Sequence, residues 1–120
     1  MKKLSYEELF YLFEVGKFVD ETIFYFDDDP NENFYVIGYN NLTFSGDIYD
    51  KPYWVGVCDF LNGCEFATAE ELFAAKIFDG KSIKENWQHV VIHELGGLCV
   101  EDFMRFYSEK ILFDTLSTKK

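Results

Sequence analysis

The chain has 120 residues, of which 48% are apolar and 20% aromatic, and its 22 acidic against 11 basic side chains leave a formal charge of −11. A chain of that length can bury roughly two-thirds of the surface its unfolded form exposes, so one core without staples is expected. The charge repels nucleic-acid phosphates and anionic lipid head groups, which argues against either as a direct partner and favours a basic one.

Met1-Lys2-Lys3 opens like an export signal, but Ser5, Glu7 and Glu8 follow where an unbroken apolar stretch of about 7–15 residues is required. No run of about 18 apolar residues is present to span a membrane, so a cytoplasmic protein is expected. Ser5 and Glu8 form the first of three capping boxes, in which an N-cap hydroxyl accepts from the backbone three residues on while a Glu there reaches back. Leu4 can staple to Leu9, and Leu9, Phe10, Leu12 and Phe13 then make one apolar stripe until Gly16 ends the helix.

After that helix the apolar period changes to two. Thr22–Phe26 reads as a strand, and Asp27-Asp28-Asp29-Pro30-Asn31 supplies turn chemistry. Phe34–Tyr39 is apolar on both faces, and Leu42–Tyr49 is apolar at even positions. Asn40-Asn41 between them is a two-residue hairpin turn, so these segments are expected as antiparallel neighbours. Asp50-Lys51-Pro52 turns the chain into Tyr53–Cys58, and Asn62-Gly63 turns it again. The second capping box, Thr68 with Glu71, opens a short helix over Ala69–Ala75, and the third, Ser82 with Glu85, a shorter one ending near Trp87. Val90-Val91-Ile92 and its flanks form a last strand that stops at Gly96-Gly97. A final helix over Val100–Phe113 places Val100, Phe103, Met104, Tyr107 and Ile111 on one side. The expected fold is a single α+β domain over residues 1–120: an antiparallel β-meander of four to six strands with an N-terminal helix and C-terminal helices packed on it. The last strand can pair at either edge or with a second copy of the chain.

Four patterns invite a chemical reading. His89 and His93 with Glu94 have the four-residue spacing of a helical zinc site, but β-branched Val90-Val91-Ile92 between them favours a strand, where four residues span roughly 13 Å. Asp27, Asp29, Asn31 and Asn33 alternate like the start of a calcium loop. Glu32 stands where that loop needs Gly, however, and Gly38 where it needs a bidentate Glu, so a solvated turn is expected. Cys58, Cys64 and Cys99 are odd in number and read as free, mostly buried thiols, with Cys58 among Val55, Val57 and Phe60 and Cys99 beside Leu98 and Val100 as inert core thiols are; spacing alone leaves a Cys58–Cys64 disulfide across a hairpin open. Gly96-Gly97 precedes a helix but lacks phosphate-loop spacing and a partnering Lys. No catalytic, metal or cofactor site is assigned, and a non-enzyme is expected.

The remaining signal is an acidic and aromatic surface on the meander. Its expected partner-binding residues are Asp27, Asp28, Asp29, Tyr35, Asp47, Tyr49, Asp50, Tyr53 and Asp59, with Tyr25 and Tyr39 nearby. Tyrosine supplies rigid area with a hydroxyl, and carboxylates speed association with a basic partner. The same tyrosines can equally be half-buried sheet residues beside solvated turns. In overall character, across its whole length and not through a motif, the chain resembles the small acidic immunity proteins of bacterial contact-dependent and polymorphic toxin systems. That resemblance implies a cognate toxin domain, often a basic nuclease, whose active site the acidic face would block. The alternative is a homodimeric structural or regulatory domain that pairs through the doubly apolar strands Phe34–Tyr39 and Tyr53–Cys58.

Overall fold

Ser5 starts the first helix as its capping box directs: its hydroxyl accepts from the Glu8 N–H at 3.1 Å, and Glu8 Oε1 accepts from the Ser5 N–H at 2.9 Å. In the computed structural model, which describes residues 4–16, 19–40 and 50–105, this helix α1 spans Tyr6–Val15. It stops at Gly16, whose φ of 65° is the left-handed conformation that suits glycine, and a Cβ there would lie 2.4 Å from the Tyr39 ring. Among the described residues, no helix is long and apolar enough to cross a membrane.

Five strands follow: β1 Thr22–Phe26, β2 Tyr35–Tyr39, β3 Tyr53–Val57, β4 Cys64–Phe66 and β5 Val90–Leu95. They form one antiparallel sheet of order β4-β3-β2-β1-β5. The first four make the expected meander, and β5 returns to the outer edge of β1, the position the sequence left open. Helix α2, Ala69–Ala74, is capped by Thr68, whose hydroxyl accepts from the Glu71 N–H at 3.1 Å. Residues 100–105 are helical with Phe103 buried; the rest of the last predicted helix lies outside the described residues.

Paired residues in a sheet share a face, so the register sorts the side chains. Thr22, Phe24 and Phe26 share the inner face with Tyr35 and Ile37, Tyr53 and Val55, and Val90 and Leu95; all are buried. All of these but Thr22 join Leu9, Leu12 and Phe13 of α1 and Leu72 and Phe73 of α2 in one cluster. Much of that core is aromatic: the Phe73 ring lies 5.3 Å from Phe13 and 5.6 Å from Phe10, and Phe24 lies 5.1 Å from Phe78. Rings bury about 150–250 Å² each, so a short chain gains a large core from few residues.

The outer face carries Ile23, Tyr25, Val36, Trp54 and Val91, all only half-buried. Two bulges add to it. Val36 pairs with Val57 while Ile37 pairs with Val55, which leaves Gly56 as an extra residue in β3. Val57 has the sequence parity of the buried Tyr53 and Val55, yet the bulge turns it outward, 49% exposed. His93 is the corresponding extra residue in β5.

β2 pairs with β1 on one side and β3 on the other, and the Asn40 N–H donates to the Pro52 carbonyl at 2.9 Å; the expected strand Leu42–Tyr49 lies outside the described residues. One expected element differs. The Ser82 box makes its capping bond, Glu85 N–H to Ser82 Oγ at 3.0 Å, but no α-helix grows from it. The Asn86 backbone N–H and side-chain amide both close on the Ser82 carbonyl, at 3.2 and 3.0 Å. A turn over 83–86 then passes into a 3₁₀ helix, Trp87–His89, that feeds β5 directly.

Candidate functional site: the acidic end of the sheet

Because antiparallel strands alternate direction, the end of β1, the start of β2, the end of β3 and the start of β5 meet at one end of the sheet. That end collects Asp27, Asp28, Asp29, Asp59 and Asp79. Each carboxylate has a different task. Asp29 is only 7% exposed and accepts from the Asn31 and Asn33 N–H groups at 2.9 and 3.2 Å, so the pattern that resembled a calcium loop serves a backbone turn. Asp59 uses both oxygens on the Asp79 and Gly80 N–H groups, at 2.8 and 3.0 Å, and pins the turn closed by the Phe78–Lys81 bridge to the end of β3.

Asp27 and Asp28 remain exposed and face the start of β5. His89 Nδ1 lies 2.9 Å from Asp27 Oδ1, and His89 Nε2 lies 3.8 Å from Asp28 Oδ2. Lys81 Nζ is 3.3 Å from Asp28 Oδ1 and 5.2 Å from the centre of the Phe26 ring. One donor atom each from Asp27, Asp28 and His89 falls within 4.8 Å of the others, a spacing at which three groups can share a cation. The Lys81 ammonium already supplies positive charge to Asp28, and exposed pairs of this kind contribute little to stability. His93, set apart from His89 in the sequence by the strand-forming Val90-Val91-Ile92, packs 5.1 Å from the Phe34 ring. The field of this end reaches the core: the Tyr35 phenol is raised above its ordinary value first by burial and then by Asp29, Asp79 and Asp59.

The structure divides the expected binding residues. Asp27, Asp28 and Asp59 come together. Tyr35 and Tyr53, at 5% and 6% exposure, are core residues and offer no surface to a partner. Tyr35 packs among Phe24, Phe26 and Phe78, and the Tyr53 hydroxyl donates to the Phe13 carbonyl at 2.8 Å, tying β3 to the end of α1. Burial above all, with Tyr39 and Glu14 adding, pushes the Tyr53 phenol up to about 12. Asp50 is exposed but precedes β3, at the opposite end of the sheet from Asp59, and Asp47 and Tyr49 lie outside the described residues. Near Asp50's end, Asp20, Tyr39, Asn40 and Trp54 line a shallow depression of about 410 Å³.

The thiols also divide. Cys58 and Cys64 are half-buried and unbridged, and burial followed by the neighbouring Cys58 pushes the Cys64 thiol up to about 11. Cys99 is exposed, contrary to the buried position expected, because it sits where the Gly96-Gly97 turn enters the last helix and its carbonyl accepts from the Phe103 N–H. Phe34 and Val57, read in the sequence only as members of doubly apolar strands, and Phe60 and Leu61, not singled out there, are all exposed. Phe60-Leu61 beside the Asn62-Gly63 turn was a readable signal; the bulge that exposes Val57 was not. In comparison with known proteins, the chain matches no protein family, no curated protein and no solved structure.

Proposed function

We propose that this chain is a non-enzymatic, acidic protein-binding domain of the immunity type, acting in the cytoplasm to neutralise a basic toxin domain by occupying its active site. The observation that supports this reading is the convergence of Asp27, Asp28 and Asp59 at one end of the sheet in a chain of net charge −11. The Asp59 carboxylate is held by two backbone donors, so part of the acidic surface is ordered before any partner arrives. An active site that grips phosphates is basic, and a fixed acidic surface competes for it while opposite potentials speed the encounter. The outer face favours a second reading, a homodimer that buries Phe34 and Val57, but that packing sets one acidic rim against an identical one.

The test is retention of partners from a lysate of the source organism on immobilised protein at low and moderate salt, with mass spectrometry of what binds. The expected result is one basic chain held at moderate salt, whose activity on its own substrate, plasmid cleavage for a nuclease, disappears on adding an equimolar amount of this protein. Recovery of the protein alone, with a dimer mass by light scattering, overturns the toxin reading in favour of self-association.

A further inference from the structure

We infer that the contact surface is the outer face of the sheet at its acidic end, and that its occupant is a protein surface with an apolar centre ringed by Lys and Arg. This rests on the protein-binding reading above and assigns that reading a surface.

Among the described residues, the exposed large apolar side chains are Val15, Phe34, Val57, Phe60 and Leu61, and all but Val15 lie at this end of the sheet. Phe34 is 47% exposed, Val57 49%, Phe60 54% and Leu61 97%. They stand on ordered backbone. The Phe34 ring packs 5.4 Å from Tyr25. Val57 is paired with Val36 and faces outward only because of the Gly56 bulge. Phe60 and Leu61 occupy the β3–β4 turn, where the Gly63 N–H donates to the Phe60 carbonyl and the Phe60 N–H donates to Cys58 Sγ at 3.4 Å. That turn also requires Gly63, whose φ is 72° and whose Cβ would lie 2.1 Å from the Val55 carbonyl oxygen.

A regular β3 would send Val57 to the inner face with Tyr53 and Val55, where burying a valine stabilises the fold; the strand instead carries an extra glycine and leaves the valine in water. An apolar group held outward by backbone geometry suits contact better than stability. At the same end of the sheet stand the exposed carboxylates Asp27, Asp28, Glu32 and Asp59, with the Lys81 ammonium 3.3 Å from Asp28. An apolar centre inside a charged rim is the anatomy of a protein interface, and the sign of this rim selects a basic partner while opposing a second copy.

The experiment is an amide NMR titration of the ¹⁵N-labelled full chain with three synthetic peptides, one alternating Lys and Leu, one alternating Glu and Leu, and one alternating Lys and Ser. The Lys–Leu peptide is expected to shift Phe34, Val36, Val57, Phe60 and Leu61, to bind more weakly as salt rises, and to outbind both others. Leu61→Ser, at a site almost fully in solvent, is expected to weaken it about threefold, and Phe34→Ser with Leu61→Ser about tenfold, with the dispersion of the spectrum unchanged. Equal binding of the Lys–Ser peptide, or shifts confined to the aspartate turns, overturns the inference. So do concentration-dependent shifts of the patch without peptide, which would make a second copy the occupant. A toxin partner neutralised equally well by the Phe34→Ser, Leu61→Ser double variant sinks this surface and leaves the immunity reading standing. Peptide shifts on the patch with no toxin ever recovered do the reverse.

Discussion

On the inner face of the sheet Phe24, Phe26, Tyr35 and Val55 are buried to within a few per cent, while on the outer face Tyr25, Phe34, Val36 and Val57 are half-buried or exposed. The residue types are nearly the same on both. What separates them is position in the pleat relative to α1 and α2, modified at two points by bulges. Aromatic content in this chain therefore measures two different things: on one side the area that holds the fold together, and on the other area left partly in water. Even the outer face is partly closed by its own chain, since the Trp54 ring lies across Gly38 so tightly that a Cβ there would be 2.3 Å from the indole and 2.2 Å from the Asp20 carbonyl oxygen.

The contrast breaks most severely on the inner side. Phe73→Ala removes a fully buried ring in contact with Tyr6, Phe10 and Phe13. It is expected to cost about 3–5 kcal/mol, a large part of a typical total of about 5–15 kcal/mol, read as a fall in the urea midpoint. Gly38→Ala attacks the closed part of the outer face and is expected to cost about 1–3 kcal/mol, with a change in tryptophan fluorescence as the Trp54 ring is displaced.

Tyr53→Phe deletes only the hydroxyl that joins β3 to α1, and should cost about 1–2 kcal/mol. It has a pH signature. The folded phenol titrates near 12 against an ordinary 10.0, so between those values the folded state holds the proton more tightly than the unfolded one. This group's contribution is thus constant below pH 10 and is lost as pH rises toward 12; melting temperatures across that window should fall less steeply in Tyr53→Phe than in the parent. The smallest expected effect is on the outer side: Leu61→Ser should stay within about 0.5 kcal/mol of the parent in the same urea experiment, because its side chain is 97% exposed. A large loss there would erase the distinction between the faces.

Local signals were legible and long-range ones were not. Ser5, Glu8 and Gly16 bracket α1 because capping uses neighbours in sequence, and Thr68 with Glu71 opens α2 for the same reason. β1 and β3 were readable from their β-branched and aromatic runs between turn residues. Face assignment was not: Phe34–Tyr39 is apolar at nearly every position, so nothing in the sequence tells that Tyr35 is inside and Val36 outside until the register with β1 and β3 is known. The same ambiguity placed Tyr35 and Tyr53 on the binding surface. The Ser82 box was real at the level of its hydrogen bond, but the strand beginning at Val90 leaves no room for an α-helix to grow. At the site, the acidity of Asp27, Asp28 and Asp59 was evident, whereas their convergence, and the pairing of Asp27 with His89, depends on β1 lying beside β5.

That pairing of β5 with β1 also governs how the chain comes to be folded. The meander can zip together locally as it is synthesised, but the outer edge of β1 keeps a row of unpaired N–H and C=O groups until Val90–Leu95 has been made and has searched back across the intervening chain. Closing a contact of such high sequence separation is slow compared with forming hairpins. For that interval the half-built sheet presents a sticky edge next to an apolar strand, so crowding many nascent copies together would favour edge-to-edge aggregation over completion. Substitutions that weaken the pairing of β5 with β1 are therefore expected to lower the yield of folded protein on overexpression.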